Sequence, residues 1–164
     1  MTMAIKTKQD MFERDLRKLY HAEVEILDLH SDLAAAATSE EVVELFGGHE
    51  GDTVEQIDRI EKIFAVLDLE PREESSQVME GLIAEKDESI AAVTDEGLQD
   101  IDVVSIGLIN ERLEITLLDR LLLLADDLDL PDPTRPHLRE NRAEAQAALD
   151  RMQQFLDERR RSGK

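Results

Sequence analysis

The sequence contains no cysteine and no tryptophan, and only one tyrosine and four phenylalanines among its 164 residues. Without thiols the chain has no disulfides, no zinc–thiolate or iron–sulfur ligands and no thiol nucleophile. With so few aromatic rings, a surface that stacks bases or sugars is not expected. Packing of aliphatic side chains must therefore hold the fold. We expect a single domain over residues 1–164, frayed at 1–9 and at 160–164.

Long hydrophobic runs and familiar catalytic motifs are also missing. No apolar run approaches the roughly 20 residues that span a bilayer, and the first 11 residues lack the hydrophobic core of a signal peptide. We therefore expect a cytoplasmic protein with no membrane partner. The chain has no glycine-rich phosphate loop, no G-x-S-x-G, no H-E-x-x-H and no EF-hand loop, so the sequence predicts no catalytic residue.

Acidic residues outnumber basic ones by 39 to 19, which gives a net charge of −20. Such a charge repels phosphate backbones and anionic membranes, so nucleic acid is not an expected partner. Two interpretations of the acidity stay open. The acids are spread along the whole chain, which favours a halophilic surface for a cytoplasm of high salt, where screening is strong. The alternative is a surface that attracts or stores cations.

Apolar residues recur every three or four positions along most of the chain, a spacing that predicts helices. Each glycine weakens a helix interior by about 1 kcal/mol, so Gly47 and Gly48 predict a break near His49. The run Leu121–Leu124 is apolar on every side, which indicates a homodimer interface. Four long helices and one short one predict an all-α bundle. The first predicted helix ends near residue 37. The other predicted helices cover residues 39–68, 75–93 (the short one), about 101–129, and 134 or 137 to 159. A polar link is predicted at 94–100.

Polar residues interrupt the apolar stripes of these helices at five positions: Glu23, His30, Glu50, Thr53 and Glu111. A buried carboxylate is costly unless it is paired or binds a cation, so carboxylates that converge from different helices predict a metal site. The alternative for Glu23 and Glu111 is an interior ion pair with an arginine such as Arg112. For His30 we expect a core or interface histidine whose hydrogen bonds are satisfied.

Three stretches of the chain carry a family pattern: Leu19-Tyr20-His21-Ala22-Glu23, the segment from His49 through Thr53-Val54-Glu55-Gln56-Ile57 to Glu61, and Met79-Glu80-Gly81-Leu82-Ile83-Ala84-Glu85. They resemble the YciE/YciF family of ferritin-like proteins, and the likeness extends from about residue 10 to residue 155. The resemblance implies a ferritin-like four-helix bundle with an additional short helix. It also implies a homodimer, a link to stress responses, and a di-metal site of the di-iron type.

By this resemblance, Glu23 matches the carboxylate of the family's first helix. Glu111 and Glu114 match the acidic pair of its E-H-Y-E motif, whose histidine is Arg112 here. In the last helix Glu144 is the chief acidic residue that remains. The family's H-L-E-E-T-H reads His49-Glu50-Gly51-Asp52-Thr53-Val54, so the Glu and His of its E-x-x-H have become Gly51 and Val54.

The resemblance therefore implies a weakened site for iron or manganese, with a core repacked without metal around Gly51 and Val54. The predicted ligands are Glu23, Glu111, Glu114, His49, Asp52 and Glu144. Two alternatives stay open. One is a metal-free helical dimer that acts as a structural or protein-interaction module, and the other is an active di-iron oxidase or peroxide-consuming enzyme.

Overall fold

The computed structural model describes residues 4–163 as an all-helical chain, and no strand occurs in that range. Helices α1, α3, α5 and α6 form a four-helix bundle in which α1 and α6 each contact α3 and α5, while the short α4 packs on α5. This confirms the predicted four-helix bundle with an additional short helix. None of these helices combines the length and apolar character needed to cross a membrane, among the residues described. The helices are α1 Lys8–Ala36, α2 Glu40–Gly47, α3 Glu50–Val66, α4 Gln77–Ala92, α5 Glu96–Asp127 and α6 Thr134–Ser162.

Side chains that cap backbone N–H groups determine where several helices begin. Thr7 accepts a hydrogen bond from the backbone N–H of Asp10, and the Asp10 carboxylate accepts one from the N–H of Thr7, so α1 begins at Lys8. Ser39 caps α2 by accepting a hydrogen bond from the backbone N–H of Val42. We predicted frayed ends at residues 1–9 and 160–164. Residues 1–3 and 164 lie outside the described residues. Within the described part, helix α6 extends to Ser162.

The predicted polar link at residues 94–100 is wrong, because α5 already begins at Glu96. The Asp95 side chain accepts the backbone N–H of Leu98 and so starts the helix earlier than its apolar stripe indicates. Asp100 then lies within α5 and faces the α1–α2 turn, where it accepts the backbone N–H groups of Thr38 and Ser39 at 2.7 and 3.1 Å. A residue predicted to lie in a link thus ties two helices together.

The predicted break near His49 is confirmed, since α2 ends at Gly47 and α3 begins at Glu50. The buried residues keep steps of three and four across the break, from Phe46 through His49 to Thr53, so α3 continues the inner face of α2. Thr53, predicted on the inner stripe, is buried. Glu50, predicted on the inner stripe, is exposed. The buried residues of α3 are Thr53, Gln56, Arg59, Ile60, Ile63 and Phe64.

Two apolar clusters make up the core. One cluster is built around Ile26, Phe46 and Met152, and the other around Leu16, Phe64 and Leu118. Along α5 the first cluster ends at Leu108 and the second begins at Leu118. The buried residues between them on α5 are Asn110, Glu111 and Glu114, so the interior of the bundle is divided by a layer of polar side chains.

Gly107 lies where α5 comes closest to the α2 side chain Phe46. A Cβ atom added to Gly107 would lie 2.7 Å from the Cε1 atom of Phe46 and 3.0 Å from the Sδ atom of Met152.

We expect Gly107→Ala to lower the free energy of unfolding by about 1–2 kcal/mol, because overpacking outweighs the gain in helix propensity. Gly81→Ala is the control, since no heavy atom lies within 4 Å of its added Cβ. This control should gain up to about 1 kcal/mol. Equal gains in the free energy of unfolding of the two variants, measured with urea, would contradict the close contact at Gly107.

Candidate metal centre

Three glutamates from two helices form the centre of the polar layer, and we call Glu23, Glu111 and Glu114 the carboxylate layer. Their exposed fractions are 0%, 3% and 3%. Glu23 lies between Leu19 and Ile26 on the inner face of α1, and the other two lie one turn apart on the inner face of α5. The apolar spacing of both helices therefore forces these carboxyl groups into the interior.

Glu23 and Glu114 are close enough for each to shift the pKa of the other. An ionised carboxylate has no proton to donate, and neither oxygen of Glu23 nor Oε1 of Glu114 receives a hydrogen bond from any residue described. Two charged carboxylates at this distance repel each other strongly in a dry interior. The pair is therefore stable only if it holds a proton or a cation.

The electrostatics of the carboxylate layer favour the protonated forms. Burial, together with the charges of Glu111 and Glu144, raises the pKa of Glu23 to about 7, even though contact with Glu114 opposes the shift. Burial and the charge of Glu23 raise the pKa of Glu114 well above its ordinary value. Burial and the charge of Glu114 do the same to the pKa of Glu111, which Arg151 partly offsets. At neutral pH the layer is thus partly protonated when no cation is present.

His30 is a member of the site that the sequence did not predict. It is 5% exposed, neither of its ring nitrogens has a hydrogen-bond partner among residues 4–163, and Nε2 lies 3.7 Å from Oε1 of Glu111. Burial and the neighbouring His49 lower the pKa of His30 to about 3, so its imidazole is neutral and able to ligate. The predicted burial of His30 in the core is confirmed, whereas the prediction that its hydrogen bonds are satisfied is wrong for the residues described. The signal in the sequence was the spacing of seven residues from Glu23, which places both on one face of α1.

A cavity of about 10 Å³ lies beside the carboxylate layer, which is room for about one water molecule. His49 is buried, and its Nδ1 lies 3.9 Å from Oδ2 of Asp52 at the rim. Glu23 does not line the cavity, but it lies beside Glu114, which does. The structure thus brings the six predicted ligands into one region. The polar residues that line the cavity are His30, His49, Asp52, Thr53, Gln56, Glu111, Glu114 and Glu144.

Glu144 is already engaged by two side chains of α3 that the sequence did not single out. One of its oxygens accepts hydrogen bonds from Gln56 Nε2 and Arg59 Nη1, both at 2.9 Å. The same Arg59 nitrogen donates to Asn141 at 3.0 Å.

Arg59 also pairs with Glu140 at 3.1 Å and Glu55 at 3.4 Å. It therefore neutralises Glu144 only in part while competing with any cation for it. The arginine that sequence reasoning proposed for such a role, Arg112, is exposed.

Gly51 and Val54 do not face the interior, so the prediction of a core repacked around them is wrong. Val54 is 54% exposed, and a Cβ atom added to Gly51 would meet no heavy atom within 4 Å. The rotation of α3 instead points Thr53 and Gln56 toward the carboxylate layer. A side chain at position 51 or 54 therefore does not point toward the carboxylate layer in this fold.

The donor chemistry fits a divalent cation, although the side chains do not yet form a coordination sphere. Among residues 4–163 no three His, Asp or Glu side chains are arranged to hold a metal ion. The unpartnered oxygens of Glu23 and Glu114 and the unpartnered nitrogens of His30 are, however, the donors that iron and manganese accept. With Glu144 paired to Arg59, the set suits one ion better than two.

The comparisons with known proteins agree with the fold and with this arrangement of helices. The family described as a domain of unknown function, DUF892, matches residues 7–162. Protein YciF of Escherichia coli (strain K12) is 29% identical over 127 residues, which cover 77% of this chain and 76% of YciF. The chain belongs to this family, the YciE/YciF family of helical proteins.

Two solved structures superpose closely on the chain. YcfI from Rhodopseudomonas palustris has a TM-score of 0.89 at 26% identity, covering 93% of this chain and 97% of that one. The Escherichia coli stress protein YciF has a TM-score of 0.86 at 26% identity, covering 92% of this chain and 95% of that one. Both likenesses extend over nearly the whole bundle, including the helices that carry the carboxylate layer.

Proposed function

We propose that this protein binds one divalent cation, iron or manganese, in the carboxylate layer, as a weakened form of the di-metal site that the family resemblance implies. The observation that carries the proposal is Glu23, which is fully buried with both oxygens lacking a hydrogen-bond donor among the described residues. A buried carboxylate in that state is costly, and a cation shared with Glu114 would remove both the desolvation cost and the repulsion.

The proposal gives each residue a role. Glu23, Glu111 and Glu114 hold the ion, and His30 adds a neutral nitrogen donor from the side of α1. His49 and Asp52 lie at the rim, where they line the same cavity. Glu144 stays paired with Arg59 and takes no direct part. Bound iron or manganese would supply Lewis acidity and one-electron redox chemistry. The chain's own residues supply a dry, negatively charged pocket and no identified catalytic group.

A second candidate is a metal-free dimer with a structural or protein-interaction role. The observation that favours it is the Arg59–Glu144 pair, which already neutralises one predicted ligand in part. Leu123, within the apolar run predicted to form a dimer interface, is 61% exposed. Sedimentation in molar salt at a mass near the 18.6 kDa of one chain would contradict the dimer. A role in stress responses is proposed for either form, because the related YciF is called a stress protein.

Elemental analysis and Mn²⁺ titration of the full chain, purified without chelator, test the proposal. We expect about one equivalent of metal per chain, and a loss of affinity of at least roughly tenfold in Glu111→Gln, because one carboxylate that would bind the ion is removed. Glu80→Gln, an exposed glutamate of α4, is the control and should bind as the wild type does. Metal at background level in the wild-type protein would exclude the proposed site and favour the metal-free module.

A further inference from the structure

A groove of about 440 Å³ lies on the surface between α1 and the junction of α2 with α3, and we call it the α1–α3 groove. It is far larger than the interior cavity of about 10 Å³. The α1 side contributes Asp28, Ser31 and Ala34, and the other side contributes Glu50 and Val54. Phe46 and Gly47, at the end of α2, also line the groove.

The α1–α3 groove and the interior cavity share two lining residues, His30 and Thr53. These side chains therefore form the wall between the groove and the carboxylate layer. His30 is 5% exposed, and its ring nitrogens have no hydrogen-bond partner among the residues described. Thr53 donates its hydroxyl hydrogen to the carbonyl oxygen of His49 at 3.0 Å, so the hydroxyl oxygen keeps its lone pairs as acceptors. Both side chains can therefore donate a lone pair to a cation that gives up part of its hydration shell.

The outer part of the groove carries negative charge. Asp28 and Glu50 are exposed residues on opposite sides of it. Glu50 and Asp52 also lie in the first turn of α3, where the helix dipole would otherwise repel a cation, and their carboxylates offset that positive end. Acidic groups at the mouth, neutral donors at the wall and carboxylates within therefore place cation ligands along the whole path from the surface to the carboxylate layer.

We propose that the α1–α3 groove is the route by which a divalent cation reaches the carboxylate layer, and that it passes between His30 and Thr53. This proposal rests on the proposed function, since a route requires an interior site. It assigns a task to Thr53 and to the acidic pair at the mouth, to which the interior site gives no role.

Blocking the groove without changing the carboxylates tests the route. The metal-free full chain is mixed with MnCl₂, and the loss of the free Mn²⁺ electron paramagnetic resonance signal gives the uptake rate, while a titration gives the affinity. Ser31→Trp fills the groove from α1, and we expect uptake to slow by about tenfold with the affinity unchanged within about twofold. Ala35→Trp, an exposed α1 position that does not line the groove, is the matched control and should behave as the wild type does.

A second pair of variants tests the charge at the mouth. The double variant Asp28→Asn/Glu50→Gln should take up Mn²⁺ several-fold more slowly and with a weaker dependence on salt, because steering of the cation is lost. Glu80→Gln/Glu85→Gln removes the same charge from the exposed face of α4 and should leave the rate unchanged.

The possible failures are distinguishable. Wild-type uptake rates in Ser31→Trp would overturn the route and leave the interior site standing. An equal loss of rate and affinity in Ser31→Trp, with Ala35→Trp unaffected, would mean that the groove itself holds the ion, which also overturns the route. A wild-type protein that takes up no Mn²⁺ would overturn both the proposed function and the route.

Discussion

Replacing Glu23 with glutamine should stabilise the metal-free protein by about 3 kcal/mol at a pH of about 8.5 and hardly at all at a pH of about 4.5. Burial raises the pKa of Glu23 from its usual 4.5 to about 7 in the folded state. The folded protein therefore binds this proton more tightly than the unfolded chain does. The stability that the proton provides is fully present below a pH of about 4.5 and is lost as the pH rises through about 7. Glutamine keeps the shape, carries no charge and can donate its amide hydrogen to Glu114.

Urea unfolding in the presence of a chelator, repeated across this pH range, measures the effect. Glu25→Gln on the same helix is the matched control. Glu25 is partly exposed, so this substitution makes the same chemical change outside the carboxylate layer. A stability difference between Glu23→Gln and the wild type that does not change with pH would contradict the burial argument. With saturating Mn²⁺ the order should reverse, because the cation stabilises only the protein that keeps the carboxylate.

Replacing Arg120 with methionine should lower the free energy of unfolding by about 2–3 kcal/mol, because it leaves a buried charge with half of its compensation. Asp15 is fully buried, and its oxygens accept hydrogen bonds from Arg120 Nε and Nη2 at 2.5 and 2.9 Å. Arg14 Nη2 also donates to Asp15, at 2.9 Å. Removal of Arg120 leaves only that second partner for a carboxylate that water does not reach.

Two further variants separate this cost from a loss of packing. The double variant Asp15→Ala/Arg120→Met should be more stable than Arg120→Met, because it removes the carboxylate that the single variant leaves under-compensated. Arg142→Met breaks a partly exposed pair with Asp119 and should cost no more than about 1 kcal/mol. Equal losses in Arg120→Met and Arg142→Met, measured by urea unfolding, would show that burial of Asp15 adds nothing.

The interior position of Glu23 and Glu111 could be predicted from the sequence, because each interrupts an apolar stripe within one uninterrupted helix, whereas Glu114 was predicted through the family resemblance. The inner face of α3 was predicted only in part. Thr53 is buried as predicted, but Glu50 lies outward because the buried position of that turn is its neighbour His49. The metal, the dimer, the halophilic surface and the cytoplasmic location stay predictions.

The sequence by itself determined the all-helical fold, most helix ends and the burial of the carboxylate layer, since periodicity and capping depend on residues only a few positions apart. Only the tertiary structure decided which side chains meet across helices. The pairing of Arg59 with Glu144 and the approach of His30 to Glu111 join residues that are 85 and 81 positions apart. Such contacts depend on how each helix is rotated and how far its side chains reach, and no local pattern records either.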